Sequence, residues 1–332
     1  MSQNIGKLVD RVYREYLEPN DDIQSFSILR GAMDADTTDQ TVEYESDYLT
    51  SEEEDLLEPG AVVEVNRELM LVTALNTSAE QLTVKRAFRG TTLAAHSVDD
   101  VMRVNPVFPR NTVFDAVCDQ IKNLYPTLFA TETKTIIAKT GYIPLSGTND
   151  NYLIAPIKAI SQYTDFSAGS DETGTVYAGV AVEIVDLPNP FTYTDASGVS
   201  QTITYNNNGP DKVNAVQIYN VNAGHTVFVT FKKKFVEPTE ESDTLATIGL
   251  ESEYEPIIMA GVAAQLISGR DIPAATVENI TQSIQAQSFP VNSASNIRNS
   301  LLQYQRTLIQ QARKDLRARY PEPVTINKIS YS

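Results

Sequence analysis

The sequence predicts a mixed α+β protein, a helical bundle assembled from N-terminal, central and C-terminal helices that carries two β-rich insertions. Three observations predict it. Helical periodicity is confined to the two ends and to a stretch near Asp115, the two regions between read as short strands broken by turn residues, and each helix has an apolar stripe it cannot bury alone. The expected boundaries place the bundle at 1–19, 108–130 and 251–320, a first β insertion (small barrel or sandwich) at 20–107, a second (a β-sandwich) at 131–250, and an extended tail at 321–332.

The first helix is carried by Ile5, Leu8, Val9, Val12, Tyr13, Tyr16 and Leu17, which line one helical face, and Pro19 with Asn20-Asp21-Asp22 stops it. From Ser25 the period shortens to that of strands in FSILRG, TVEYES and AVVEVNRELMLVTAL. Residues 69–74 and 81–86, joined by Asn76-Thr77-Ser78-Ala79, form an expected hairpin. The central helix then places Val113, Phe114, Val117, Cys118, Ile121, Leu124, Tyr125 and Leu128 on one face and Asp115, Asp119, Gln120, Lys122 and Asn123 on the other. Asn111 or Thr112 is its expected cap, and Pro126 bends or ends its last turn.

Residues 133–235 hold six or more runs rich in β-branched and aromatic residues, separated by Gly, Asn, Asp and Pro, with Asp195-Ala196-Ser197-Gly198 a favourable turn. Beyond Glu251 the pattern is helical again. Pro256 suits a first helical position, IIMAGVAAQLISG is apolar almost all round with Gly269 as C-cap, and this helix is expected to be the most buried. Val277, Ile280 and Ile284 mark a short helix at 276–285. A long helix at 295–320 carries Ile297, Leu301, Tyr304, Leu308, Ala312, Leu316 and Tyr320 as a narrow stripe among Gln and Arg, before Pro321 and Pro323 release a β-like tail.

The net charge of −17 argues against a groove that grips nucleic acid, because such binding comes from Lys and Arg neutralising phosphates. Charge is also segregated. No basic residue occurs between Gly31 and Asn66, where acids abound, whereas Arg298, Arg306, Arg313, Lys314, Arg317, Arg319 and Lys328 face only Asp315 and Glu322 near the C-terminus. Such asymmetry suggests two surfaces with different partners, or simply two solvated faces. No apolar run is long enough for a membrane span, and the N-terminus does not read as a secretory signal, so assembly in a cytoplasm is expected. A single cysteine, Cys118, lies on an apolar helical face and reads as a small buried hydrophobe, not a nucleophile.

Catalytic equipment is thin. His96 and His225 stand in no metal-ligand spacing, His96 reading as a local hydrogen-bonder in a loop, and no P-loop, GxSxG or GxGxxG motif occurs. Asp34, Asp36, Thr38 and Glu45 imitate a calcium loop, but Asp39 stands where its turn glycine belongs. The acids from Glu52 to Asp55 after Ser51 read better as a first helical turn. Paired carboxylates for glycoside cleavage are not excluded, although the absence of tryptophan weighs against a sugar platform and the sixteen tyrosines weigh the other way. No cofactor or metal is implied, and nothing points to an enzyme.

One stretch carries a family likeness. Arg89, Gly90, Thr91, Thr92, Ala94, Ala95 and His96, followed by an amphipathic helix ending in Leu124, Tyr125 and Pro126, resemble neck and tail proteins of tailed bacteriophages, and the plan of dispersed helices with a final basic helix resembles their head-to-tail adaptors (connectors). The resemblance implies a non-enzymatic virion protein, made in the host cytoplasm, forming a dodecameric ring with copies of itself at the head-to-tail junction. It would dock on the portal protein and connect it to a downstream tail or neck protein, with DNA passing the channel without sequence-specific binding. A collar, baseplate or fibre-attachment role is the alternative within virions, and a carbohydrate-binding host-recognition protein is another class. The expected docking residues are Arg306, Arg313, Lys314, Arg317, Arg319 and Tyr320 on the last helix, whose cations offer donors to acidic grooves, with Ile326 and Ile329 in a tail expected to add a strand to a neighbour.

Overall fold

Asn4 starts the first helix, its side chain accepting from the Lys7 N–H, and α1 runs over Ile5–Val12 before a π-helical turn, Tyr13–Leu17. The computed structural model describes residues 4–17, 25–35, 41–138, 141–145, 153–165, 174–188, 190–194, 199–203, 212–218, 221–222, 225–267, 294–320 and 326–329. Among these residues the fold is mixed α+β, with six α-helices and sheets that are antiparallel except at one strand. The chain divides into two compact units. The first comprises Met1–Gln120, Thr239–Asp243 and Glu255–Thr307, and the second Ile121–Pro238, Thr244–Tyr254 and Leu308–Ser332.

In the first unit, β1 (Phe26–Ile28), β2 (Thr41–Glu43), β3 (Val62–Val65), β4 (Glu68–Asn76), β5 (Gln81–Lys85) and β6 (Val101–Val104) form one sheet in the order β1-β6-β3-β4-β5-β2. The expected β4–β5 hairpin is present, its turn held by the Ala79 N–H donating to Asn76 Oδ1. Alternate residues, including Val63 and Val65, Met70 and Val72, Leu82 and Val84, and Met102 and Val104, converge with Leu29, Tyr44 and Leu57 on one core. A register shift between Val72 and Ala74 bends β4. Beyond the edge strands, Leu29 bridges Tyr44, and the Arg30 N–H donates to Glu43 O at 2.9 Å. The sheet therefore curls into a half-barrel with its two edges drawn together. Between β2 and β3, α2 (Ser51–Glu54) is the expected acidic first turn, capped reciprocally by Thr50 and Glu53.

The same unit holds the start of α3 (Arg110–Leu124), all of α5 (Glu255–Leu266) and the start of α6 (Ala294–Arg319). As its composition predicts, α5 is buried nearly all round, from Ile257 to Leu266 with only Gln265 exposed, and it packs against α1. Its first residue is Glu255 and not Pro256. Gln305 of α6 donates to Gln120 of α3 at 2.9 Å and to the Ile257 carbonyl of α5 at 3.2 Å. Cys118 is buried, as expected. Neither Asn111 nor Thr112 caps α3. The helix begins earlier, at Arg110, whose N–H donates to the Glu64 carboxylate at 2.5 Å, so an acid from β3 takes the capping position and Asn111 instead accepts from Arg67.

In the second unit, β7 (Ala130–Ile137), β9 (Leu153–Asp165), β10 (Gly174–Gly179) and β15 (Thr226–Lys233) form one four-stranded sheet in the order β10-β9-β15-β7. A second, in the order β16-β11-β14-β8, contains β8 (Ile143–Pro144), β11 (Val182–Pro188), β14 (Lys212–Gln217) and β16 (Ile326–Ile329), while β12 (Phe191–Thr194) and β13 (Ser200–Ile203) pair as a ribbon. Ile136, Ala159, Val227, Val229 and Phe231 from the first sheet share one apolar cluster with Ile143, Val182 and Val216 from the second. The short α4 (Leu245–Ile248) ends at Gly249, whose φ of 80° and whose closeness to Ala130, 2.7 Å from an added Cβ, both require glycine.

The division into units does not follow the expected boundaries, and it cuts α3 after Gln120 and α6 after Thr307. Residues 239–243 belong to the first unit because the Ile5 and Gly6 N–H groups donate to Asp243 O and Glu241 O, and the tail joins the second because β16 pairs in parallel with β11, Val182 opposite Ile326 and Val185 opposite Ile329. The expected stop at residues 19–22, the turn at 195–198, the cap at Gly269, the helix at 276–285, the prolines 321 and 323, and Asp36, Thr38 and Asp39 of the calcium-like run lie outside the described residues.

Candidate functional site

The turn that carries the family likeness is built over a buried carboxylate. Left-handed backbone at three of four successive residues shapes it, Ala87 (φ 51°), Arg89 (φ 55°) and Gly90 (φ 80°). Thr91 then folds back on β4, accepting from the Leu69 N–H at 3.1 Å and donating to Phe88 O at 3.0 Å. The chain runs on to His96, which exchanges both backbone hydrogen bonds with Met33 at 2.8 and 2.9 Å.

Beneath this turn lies Glu68, the first residue of β4. Its Oε1 accepts from Arg86 Nε at 3.1 Å and the Ala87 N–H at 3.0 Å, and its Oε2 from Arg86 Nη2 at 2.7 Å, the Ala94 N–H at 3.0 Å and His96 Nε2 at 2.9 Å. Burial alone would push this carboxyl up, but the hydrogen bonds from His96, Arg86 and the two N–H groups outweigh it and hold the carboxyl down at about 2. The Arg86 guanidinium also donates to the carbonyls of Asp34 and Ala94. With five donors on two oxygens, Glu68 has no lone pair left to take a substrate's proton. The cluster can order the turn; it is not arranged for acid–base work.

A cavity of about 840 Å³ opens beside the cluster in the same unit, with Glu64, Arg67, Arg103, Arg110 and Glu241 among its walls. These charges are engaged with the fold. Arg110 donates to Glu241 from Nε (2.8 Å) and Nη2 (2.7 Å) and to Asp10 from Nη1 (2.8 Å). Arg67 lies 3.7 Å above the Phe114 ring and Arg103 lies 4.6 Å above that of Tyr13. Neither a scan against protein-family models nor a search of curated proteins returned a match to this chain.

Of the expected docking residues, Arg306, Arg313, Lys314 and Arg317 are exposed and make no hydrogen bond or ion pair with a described residue. Arg319 differs: it donates to Glu251 at 2.6 Å and to both oxygens of Glu253 at 2.8 Å, so it ties α6 to the segment before α5 within the second unit. Tyr320 is half-buried. Ile326 and Ile329 lie in β16, and the strand expected to extend a neighbour's sheet extends the chain's own. His96 is a hydrogen-bonder as expected, though its partner Glu68 is distant in sequence. Glu68 and Arg86 were not singled out by the sequence; their only signal is an acid opening the apolar run ELMLV and an arginine closing TVKR.

Among the described residues no group of His, Cys, Asp or Glu is placed to hold a metal ion, and no helix is long and apolar enough to cross a membrane.

Proposed function

We propose that this chain is a structural, non-enzymatic virion protein that forms a ring at the head-to-tail junction of a tailed phage, docks on the portal and joins it to the tail. In this reading the helices α1, α3, α5 and α6 make one bundle that carries the two β regions, supported by the packing of α5 on α1 and by the Gln305 hydrogen bonds to α3 and α5. The observation that carries it is the stripe of exposed cations on α6 that pair with no described residue, on a chain whose net charge is −17. Such a stripe is a docking element for an acidic surface, and the rest of an acidic chain does not hold passing DNA. The buried Glu68 cluster supports the reading too, since it spends its charges on holding the Arg89–His96 turn in one shape.

Removing residues 313–332 would be a poor test, because it also removes β16 and the Arg319 ion pairs. The sharper one is Arg306→Glu with Arg313→Glu and Arg317→Glu, checked for an unchanged circular dichroism spectrum and then mixed with portal-bearing capsids. Loss of capsid binding is expected; a variant that binds as the wild type does would overturn the docking assignment.

A further inference from the structure

We infer that the basic stripe of α6 takes as its partner an acidic and aromatic patch at residues 47–58 of a second copy of this chain, so that copies join head to tail. The inference rests on reading α6 as a docking element and assigns its stripe to the contact between subunits of the ring, so that capsid binding depends on the stripe through ring assembly. Arg306, Arg313 and Arg317 are seven and four residues apart, which at 3.6 residues per turn sets them in one line along the helix, on the side opposite the fully buried Ile297. Half-buried Leu302 and Ile309 lie beside that line, so the stripe has an apolar margin.

The patch is its complement in both respects. Among the described residues Tyr48, Leu56 and Phe26 are three of the few large apolar side chains left exposed, at 51%, 48% and 38%, and the Phe26 and Tyr48 rings lie 6.1 Å apart. The same stretch carries the exposed carboxylates Asp47, Glu52, Asp55 and Glu58, which make no side-chain hydrogen bond or ion pair with a described residue. The fold's own needs are met by their neighbours: Glu53 closes the cap with Thr50, and Glu54 accepts from Tyr44 OH at 2.8 Å. An exposed carboxylate that pairs with no described residue, a few positions from an exposed ring, suits a guanidinium that can pair with the one and stack on the other.

A second copy is the occupant the charges favour. Two chains of net charge −17 repel in most orientations, and the α6 stripe against the 47–58 patch is an arrangement that replaces repulsion with attraction. Because the two surfaces differ, the contact is heterologous, the kind that closes into a ring when the rotation per subunit allows it. Exposed ion pairs of this kind weaken with salt.

Sedimentation velocity of the full chain over a concentration series at low salt tests this. Wild type should associate reversibly and dissociate as salt rises. Arg313→Glu with Arg317→Glu, and separately Glu52→Lys with Asp55→Lys, should each weaken association roughly tenfold or more, and the chain carrying all four substitutions should regain it. A wild type that stays monomeric throughout, either reversal associating like wild type, or no recovery in the fourfold variant would overturn the inference. Arginine reversals that lose capsid binding but keep self-association would sink this inference alone. Reversals that keep capsid binding but lose self-association would sink the portal assignment alone.

Discussion

The Nε2 atom of His96 lies 2.9 Å from Oε2 of Glu68, and neither side chain reaches solvent. The pair fastens the end of the Arg89–His96 turn to the start of β4. Asn66 Nδ2 stands 3.5 Å from the other ring nitrogen, which suits an imidazole that carries its hydrogen on Nε2 and points it at the carboxylate. Arg86 completes the lock from β5.

Replacing Glu68 with alanine strands a buried guanidinium and two N–H groups at once. Breaking a buried pair from one side costs about 3–5 kcal/mol, and that loss should appear as a lower urea midpoint. Glu68→Gln keeps the shape and one acceptor oxygen, and should cost less.

Acid should find the same residue. Because the Glu68 carboxyl sits at about 2 when folded, below its ordinary value of 4.5, the unfolded chain binds the extra proton first. Its contribution to stability is therefore complete above about pH 4.5 and lost as pH falls towards about 2. Denaturation midpoints measured across that window should fall more steeply for the wild type than for Glu68→Gln.

Gly261 sits inside α5, where alanine would ordinarily be favoured by about 1 kcal/mol. Here an added Cβ would lie 2.1 Å from Gln120 Oε1 and 2.2 Å from Gln305 Nε2. These are the ends of flexible side chains that can swing aside, but doing so gives up the Gln305 hydrogen bonds to Gln120 and to the Ile257 carbonyl, about 0.5–1.5 kcal/mol each, so Gly261→Ala should lower the melting temperature. Adding Gln305→Ala to it should restore part of the loss, because one of the two obstructing side chains is then gone.

The tail tests a different link. Ending the chain after Tyr320 removes β16 and leaves one edge of β11 without its partner, while β14 still covers the other edge. Hydrogen exchange should show faster amide exchange in β11 with little change in β14. Unchanged β11 protection would mean the parallel pairing contributes nothing to that sheet.

What the sequence determined by itself was local. The helical periods of α1, α3 and α6, the all-round apolar character of α5, the β4–β5 hairpin and the acidic turn of α2 were legible because each depends on neighbours a few residues apart. The exposed cations of α6 were legible too, since a narrow apolar stripe leaves the opposite face to solvent. Tertiary structure alone decided the partners. It put the Glu64 carboxylate at the start of α3 in place of Asn111 or Thr112, drew Arg319 out of the basic stripe and onto Glu251 and Glu253, and folded the tail onto β11 of the same chain. It also brought Glu68, Arg86 and His96 together under the turn. Each of these joins groups far apart in the chain, and a pairing between distant residues is set by how the sheets and helices cross, which no local pattern records.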